Sequence, residues 1–395
     1  MTINLNVLSA WTDNPRTSTD SCIGIKTMLT PDATLISQPI ENITQESGMG
    51  NQPRFLHVVE QGAVLHRRGS RIIVTKNKKL LLDVSAMKLQ GVLLYGNIQI
   101  STQCMRNLLE EGVWMSFLSR NGFYKGRLQP PTERGGKLRQ MQWQRSRDPE
   151  FCLGFARAVV RGKIWGQRRL AAAYAKNYLA ETLSDNHHRL GESLNRIDKT
   201  GDLEELRGVE GSATRAYFER FRHWNRSTLP FEHRDKRGAT DPINVLLNFG
   251  YTLVLRELDG LIEAAGLDPA IGFYHLPDND RPSLACDWME EFRHPLVDRL
   301  VLKLVNKGVM KVEDFDNLEE RGGLRLKPDG LRKFLNAYEK MMTGTRVGTK
   351  SPCGWRNVFL RQLALLLDAI VGKRSYCAHT DAEENVDAER KLCCM

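Results

Sequence analysis

From Phe55 to about Leu128 the apolar residues fall in short β-like runs, Phe55–Glu60, Val64–Arg67, Arg71–Thr75, Leu80–Val84 and Val92–Tyr95, with Arg68-Gly69-Ser70 as a turn. Ser101 is placed to cap a helix over Gln103–Glu111, and strand-like Val113–Leu118 and Gly122–Gly126 follow. After Asp148 the spacing changes to helical. Asp148-Pro149-Glu150 and Asp241-Pro242 both set an N-cap aspartate before a proline at the first helical position. The second of these opens a long run that ends near Gly266, and further helical patterns cover about Asp185–Ile197, Leu203–Trp224, Ser283–Asn306, Gly330–Met342 and Trp355–Ile370.

The pattern predicts an α+β chain: a small N-terminal β-rich domain at 53–130, then a larger all-helical domain at 148–374. Between them, 131–147 reads as a linker, with prolines, glycines and charge from Gln129-Pro130-Pro131 to Gly135-Gly136. Residues 1–52 are rich in Thr, Ser, Asn and Pro and read as a mobile extension, or as the result of a start assigned upstream of Met49. Residues 375–395 read as a charged, frayed tail.

Composition narrows the function. The 395 residues carry a formal charge of +10, scattered along the chain as on a folded surface that tracks a polyanion. The eight cysteines contain no C-x-x-C, so no zinc ribbon or iron–sulfur cluster is signalled. No run of about 18 apolar residues and no charged leader occurs, so the expectation is a soluble cytoplasmic protein with no membrane contact.

Three clusters, Gly208-Val209-Glu210-Gly211, Gly272-Phe273-Tyr274-His275 and Ser283 through Arg293, supply carboxylates and an imidazole to one helical region. Hard oxygens with one nitrogen and no thiolate suit a labile divalent ion, Mn²⁺ or Mg²⁺, better than structural zinc. Asp287 and Glu290 stand three apart on one helix face with Arg293 next, while Met289 and Phe292 turn to the core. The same spacing also suits a surface helix laced with ion pairs. Glu210 lies between two glycines with Ala213 and Ala216 following, a bare face that admits either another helix or a DNA strand. His275 precedes Pro277 and a polar stretch, which places it on a loop or helix end. Arg157, Arg161 and Arg168 share one side of a helix, a stripe that fits a DNA backbone and equally an ordinary solvated face.

At these residues the chain resembles the CRISPR-associated integrase of spacer acquisition, the first-numbered Cas protein family. The likeness rests on Leu206–Gly211 with Ala216-Tyr217-Phe218, on Asp241–Tyr251, and on Gly272 through Arg293 continuing into Asp298–Leu302. It extends with less clarity from about Phe55 to Ile370. The resemblance implies a dimerising β domain and a helical metal-dependent DNA endonuclease/integrase domain. It implies Glu210, His275 and Glu290 as ligands of one divalent ion, with Asp287 supporting. Double-stranded and branched DNA are the implied substrates, and a homodimer joined to a small ferredoxin-fold Cas partner in a heterohexameric complex is the implied assembly. Trp288 stands where an aliphatic residue is usual, and the extension before about Pro53 has no counterpart in the minimal family member. A structure-specific nuclease, a transposon-type integrase and a non-catalytic DNA scaffold are the competing readings.

Overall fold

A computed structural model describes residues 34–35, 54–120, 122–131, 135–175, 183–236, 239–275, 281–317, 323–344 and 354–380. The extension expected over 1–52, apart from Thr34–Leu35, and the tail beyond 380 lie outside the described residues.

One sheet has the order β1 (Thr34–Leu35), β2 (Arg54–Val58), β6 (Leu89–Tyr95), β8 (Trp114–Leu118), β9 (Tyr124–Leu128), parallel except at β9. A second sheet runs β5 (Lys79–Ser85), β4 (Arg71–Lys76), β3 (Val64–Arg68), β7 (Gln99–Ile100). Helix α1 (Thr102–Glu110) starts where expected, with the Ser101 hydroxyl accepting from the Cys104 N–H at 3.3 Å.

Successive side chains on a strand point to opposite faces, and here the two faces join different cores. Leu56 and Val58 of β2, Val92 and Leu94 of β6, and Met115 of β8 meet Leu65, Ile72, Val74 and Leu108 in a small core between the sheets and α1. Their neighbours Phe55, Leu93, Tyr95, Trp114 and Leu118 enter the large helical core. The β-rich unit is thus packed directly onto the helices. At Gly122, φ is +83° and an added Cβ would stand 2.5 Å from the Phe249 ring, so the turn before β9 has room for no side chain.

The helices are α2 (Gly136–Ser146), α3 (Pro149–Ala175), α4 (Leu183–Ile197), α5 (Leu203–Trp224), α6 (Pro242–Ala264), α7 (Ser283–Met289), α8 (Arg299–Asn306), α9 (Pro328–Thr343) and α10 (Trp355–Ile370). Asp148 and Asp241 cap α3 and α6 as their sequence predicts, accepting from Phe151 N–H at 3.2 Å and Asn244 N–H at 2.8 Å.

The structure differs from the sequence reading in four places. The domain expected to be all-helical over 148–374 is mostly helical, and it carries a short antiparallel pair of strands, Phe315–Asn317 against Leu324–Leu326. The stretch 131–147 is not an open linker: α2 lies in it, and the Gln142 amide donates to the carbonyls of Asp268 (2.7 Å) and Ile271 (2.8 Å). Its apolar contacts come from Leu138 and Met141, too few to register as a periodic stripe. The helix expected over Ser283–Asn306 is broken. After α7 the chain turns at Glu290–Phe292 and makes one wide π-type turn, Arg293–Asp298, before α8. Pro295 has no N–H for an unbroken helix, and its ring is accommodated by Gly166, where a Cβ would stand 2.9 Å away. The start of the expected tail is packed instead: Tyr376 and His379 are buried, and the Tyr376 hydroxyl donates to Glu291 at 2.6 Å.

Where the two cores meet, a polar cluster is closed off from water. Arg356 donates to Glu257 (2.9 and 2.8 Å) and to Glu339 (2.8 and 2.8 Å). His57 of β2 contacts Glu339 at 2.9 Å and the Tyr95 hydroxyl at 3.0 Å, which joins the sheet to α9 and α10. Among the described residues, no helix is long and apolar enough to cross a membrane, and Cys104, Cys152, Cys286 and Cys377 are free thiols.

Candidate metal centre

Asp287 organises the loop that carries His275. It is fully buried on α7, and its carboxylate accepts from the backbone N–H groups of Phe273 (2.7 Å), Tyr274 (2.9 Å) and His275 (2.8 Å). The same carboxylate contacts the His275 ring at Nδ1, 2.6 Å away. Gly272 permits this approach, since a Cβ there would lie 2.8 Å from Asp287 Oδ2. A surface helix laced with ion pairs is therefore excluded for Ser283–Met289, every residue of which is buried.

Two carboxylates converge beside that loop. Glu210 comes from α5 and Glu290 from the turn after α7, and the Lys163 ammonium of α3 contacts both: Glu210 Oε1, and Glu290 Oε2 at 2.6 Å. Glu210 Oε2 accepts from the Tyr274 hydroxyl at 2.7 Å, and Arg293 Nε lies 3.1 Å from Glu290 Oε1. The Arg293 guanidinium also lies over the Tyr251 ring, 4.8 Å from its centroid. Beneath it, Asp298 accepts from the Tyr217 hydroxyl (2.7 Å), the Tyr251 hydroxyl and His294 Nδ1 (2.7 Å), which fixes the π-type turn from inside.

Burial opposes charge on both glutamates, yet both are held below the usual carboxylate range. Arg293 and then Lys163 outweigh burial at Glu290, and Lys163 outweighs it at Glu210. Burial likewise opposes the Lys163 charge, and Glu290 followed by Glu210 reverses it, holding the amine above its ordinary value. Lys236, on the loop before α6, adds positive charge at the site; burial, then Lys163 and Arg293, lower its pKa.

Glu210 and Glu290 share one cationic contact, whereas His275 stands on the adjoining loop. Among the described residues, no three His, Cys, Asp or Glu side chains close on a single point. The donor set nevertheless fits a hard divalent ion. Both carboxylates are anionic, a positive charge already lies between them, and a carboxylate engages His275 Nδ1 while Nε2 has no hydrogen-bond partner among the described residues. A carboxylate behind an imidazole is the usual support of a metal-bound histidine.

The glycines beside Glu210 are exposed, and a Cβ at Gly208 or Gly211 would meet no described atom within 4 Å. No helix among the described residues packs there. Ala213 and Ala216, expected on the same bare face, turn into the core instead. The expected basic stripe is not a free face either. Arg157 donates to the Thr200 carbonyl and Arg161 pairs with Asp198, so both fasten the α4–α5 connection, and Arg168 lies over the Trp165 ring at 5.9 Å. A groove of about 470 Å³ between α4 and α5 is lined by Arg189, Arg196 and Lys199 together with Glu192, and by Ser212 of α5.

Sequence reasoning missed Lys163 and Lys236. Lys163 had a signal: it lies three and four positions from the buried Val159, Val160, Gly166 and Gln167, which puts a lysine on an inward-facing helix stripe. Replacing Asp287 with asparagine sets an amide N–H₂ among backbone donors. Loop and fold are expected to lose about 2–3 kcal/mol, as when charged hydrogen bonds are lost in a buried site, read as a lower midpoint in urea unfolding.

The sequence profile of the family described as CRISPR associated protein Cas1 matches residues 56–340. The CRISPR-associated endonuclease Cas1 1 of Chlorobaculum tepidum is 32% identical over 292 residues, 72% of this chain and 85% of that protein. A casposase bound to an integration product shares the fold, with a TM-score of 0.72 at 24% identity over 86% of this chain and 98% of that one. A chain in a partial Cas6-RT-Cas1–Cas2 complex has a TM-score of 0.60 at 25% identity over 83% of this chain and 99% of that one.

Proposed function

Because this chain belongs to the CRISPR-associated Cas1 family, we propose that it joins short foreign DNA fragments to the repeat of a CRISPR array at the site built from Glu210, His275 and Glu290. It is a CRISPR-adaptation enzyme of the integrase/endonuclease class. The observation that carries the site is a pair of anionic carboxylates, the half-buried Glu210 of α5 and the buried Glu290 of the turn after α7, joined by one lysine and set beside a histidine whose ring a third carboxylate orients.

Glu210, Glu290 and His275 would hold a Mn²⁺ or Mg²⁺ ion, which would supply Lewis acidity toward the scissile phosphate. The chain's own residues do the rest. The bare face at Gly208 and Gly211 lets a DNA backbone come close, and Arg293 and Lys236 offer positive charge to its phosphate. An incoming 3′-hydroxyl gives its proton to solvent and its oxygen bonds to phosphorus, displacing the 3′-oxygen of the cut strand, which takes a proton from solvent. One phosphodiester replaces another, and no nucleotide is hydrolysed. With water as the nucleophile the same site cuts branched DNA.

We assign dimerisation to the β-rich unit, which exposes Met87 and Leu80 at β5 and just after it, and catalysis to the helical unit. The assembly is a homodimer joined to the small ferredoxin-fold Cas partner in a heterohexamer, working in the cytoplasm on double-stranded DNA. A related chain in a Cas1–Cas2 complex supports that partner. The test is strand transfer of a short duplex with free 3′-hydroxyls into a plasmid bearing a repeat, in the presence of the partner. Joining is expected with Mn²⁺ or Mg²⁺, is lost on chelation and returns when the ion is restored; DNA binding without joining under all conditions contradicts the proposal.

A further inference from the structure

Lys163 enters none of the roles assigned above, although it is the one side chain that contacts both Glu210 and Glu290 among the described residues. It is 6% exposed, rising from α3 into the floor of the site. A buried ammonium persists only against counter-charges, and the groups around it are few. Glu210 and Glu290 are the acids, Arg293 and Lys236 the neighbouring cations, the buried His294 lies near, and the Tyr274 hydroxyl occupies the other oxygen of Glu210. With Lys163 and Arg293 in place the two carboxylates are already neutralised. A divalent ion entering this pocket brings two further positive charges beside Lys163, and an incoming anion offsets them.

We propose that Lys163 is an internal counter-cation that competes with the divalent ion for Glu210 and Glu290 and is released onto a DNA phosphate, so that metal loading and DNA binding reinforce each other. The proposal rests on the assignment of Glu210, Glu290 and His275 as the ion's ligands. Linkage makes the effect reciprocal: DNA raises metal affinity by the factor by which metal raises DNA affinity. Lys163 is in this sense a positioning residue, since it holds the carboxylates together before the ion arrives.

Mn²⁺ binding, followed by the electron paramagnetic resonance signal of the free ion, tests this on the full chain, with and without a duplex whose 3′ ends are dideoxy and cannot be joined. Wild type is expected to bind Mn²⁺ about tenfold more tightly with the duplex. Lys163→Met is expected to bind it at least about tenfold more tightly than wild type without DNA, the direction set by removing an adjacent positive charge, and to gain less from DNA. A lysine that only neutralises the pocket would leave the gain from DNA unchanged when replaced, so the smaller gain is the discriminating reading. Lys163→Gln, which keeps a hydrogen-bond donor without the charge, gives the same reading if methionine disturbs the fold. Mn²⁺ affinity in both variants equal to or weaker than wild type overturns the role of Lys163. Mn²⁺ binding that Glu290→Gln leaves unchanged overturns the ligand assignment, and the proposal with it.

Discussion

His275→Ala and Glu290→Gln each abolish strand joining while leaving DNA affinity within about threefold of wild type. Changes to groups behind a metal's ligands typically cost about 10–100-fold in affinity or activity, so loss of a ligand is expected to exceed that range. Affinity survives because phosphate contacts are shared among many basic residues, and the groove with Arg189, Arg196 and Lys199 is untouched by either change. Glutamine keeps the volume of Glu290 in a site where the residue is 4% exposed, and thermal unfolding checks that the fold is retained. Gel-shift and joining assays on the same preparations read the two effects. A parallel fall in binding and joining would count against a chemical role for either side chain.

Arg356→Met is the substitution with the largest expected cost to stability. It leaves Glu257 and Glu339 buried together with their shared guanidinium gone, and breaking a buried ion pair from one side costs about 3–5 kcal/mol. The pH dependence carries a second signature. Burial pushes the Glu339 carboxyl up, but Arg356 and His57 outweigh it and bring it from an ordinary 4.5 to about 2. A carboxyl whose folded value is depressed stabilises the native state above the unfolded value and loses that contribution as pH falls toward the folded one. Wild type is therefore expected to lose stability between about pH 4.5 and 2. The variant lacks the guanidinium that depresses the Glu339 carboxyl, so this acid-induced loss is expected to shrink in it. Urea unfolding at pH 7 and pH 3 measures both, and an Arg356→Met protein as stable as wild type at pH 7 would contradict the account.

Much of this molecule is legible in its sequence because local signals and burial agree. The strands after Phe55 are short and bounded by turns, and the Asp-Pro starts of α3 and α6 name their caps residue by residue. The clusters around Glu210, His275 and Glu290 adjoin, Glu210 and Glu290 through Lys163 and Glu210 and the His275 loop through Tyr274, although 80 residues of sequence, with α6 and α7 among them, separate the two glutamates. What escaped depends on contacts distant in sequence. Lys163 meets its partners 47 and 127 positions away. Tyr376 reads as part of a polar tail until Glu291 receives its hydroxyl, and α2 is held by Gln142 rather than by an apolar stripe. The break after Met289 had a visible cause in Pro295, but the wide turn that absorbs it depends on Gly166 of α3 standing opposite. Arg157 and Arg161 show the converse: their helical spacing is real, yet the α4–α5 connection claims both.

The most direct measurement is an anomalous difference map from crystals of the protein grown with Mn²⁺ and a DNA duplex. One peak is expected within about 2.0–2.3 Å of an oxygen of Glu210, an oxygen of Glu290 and Nε2 of His275, at coordination distances for a small divalent ion. Ordered DNA with no peak there, or a peak held by other side chains, would contradict the assignment of this site as the metal centre of the reaction.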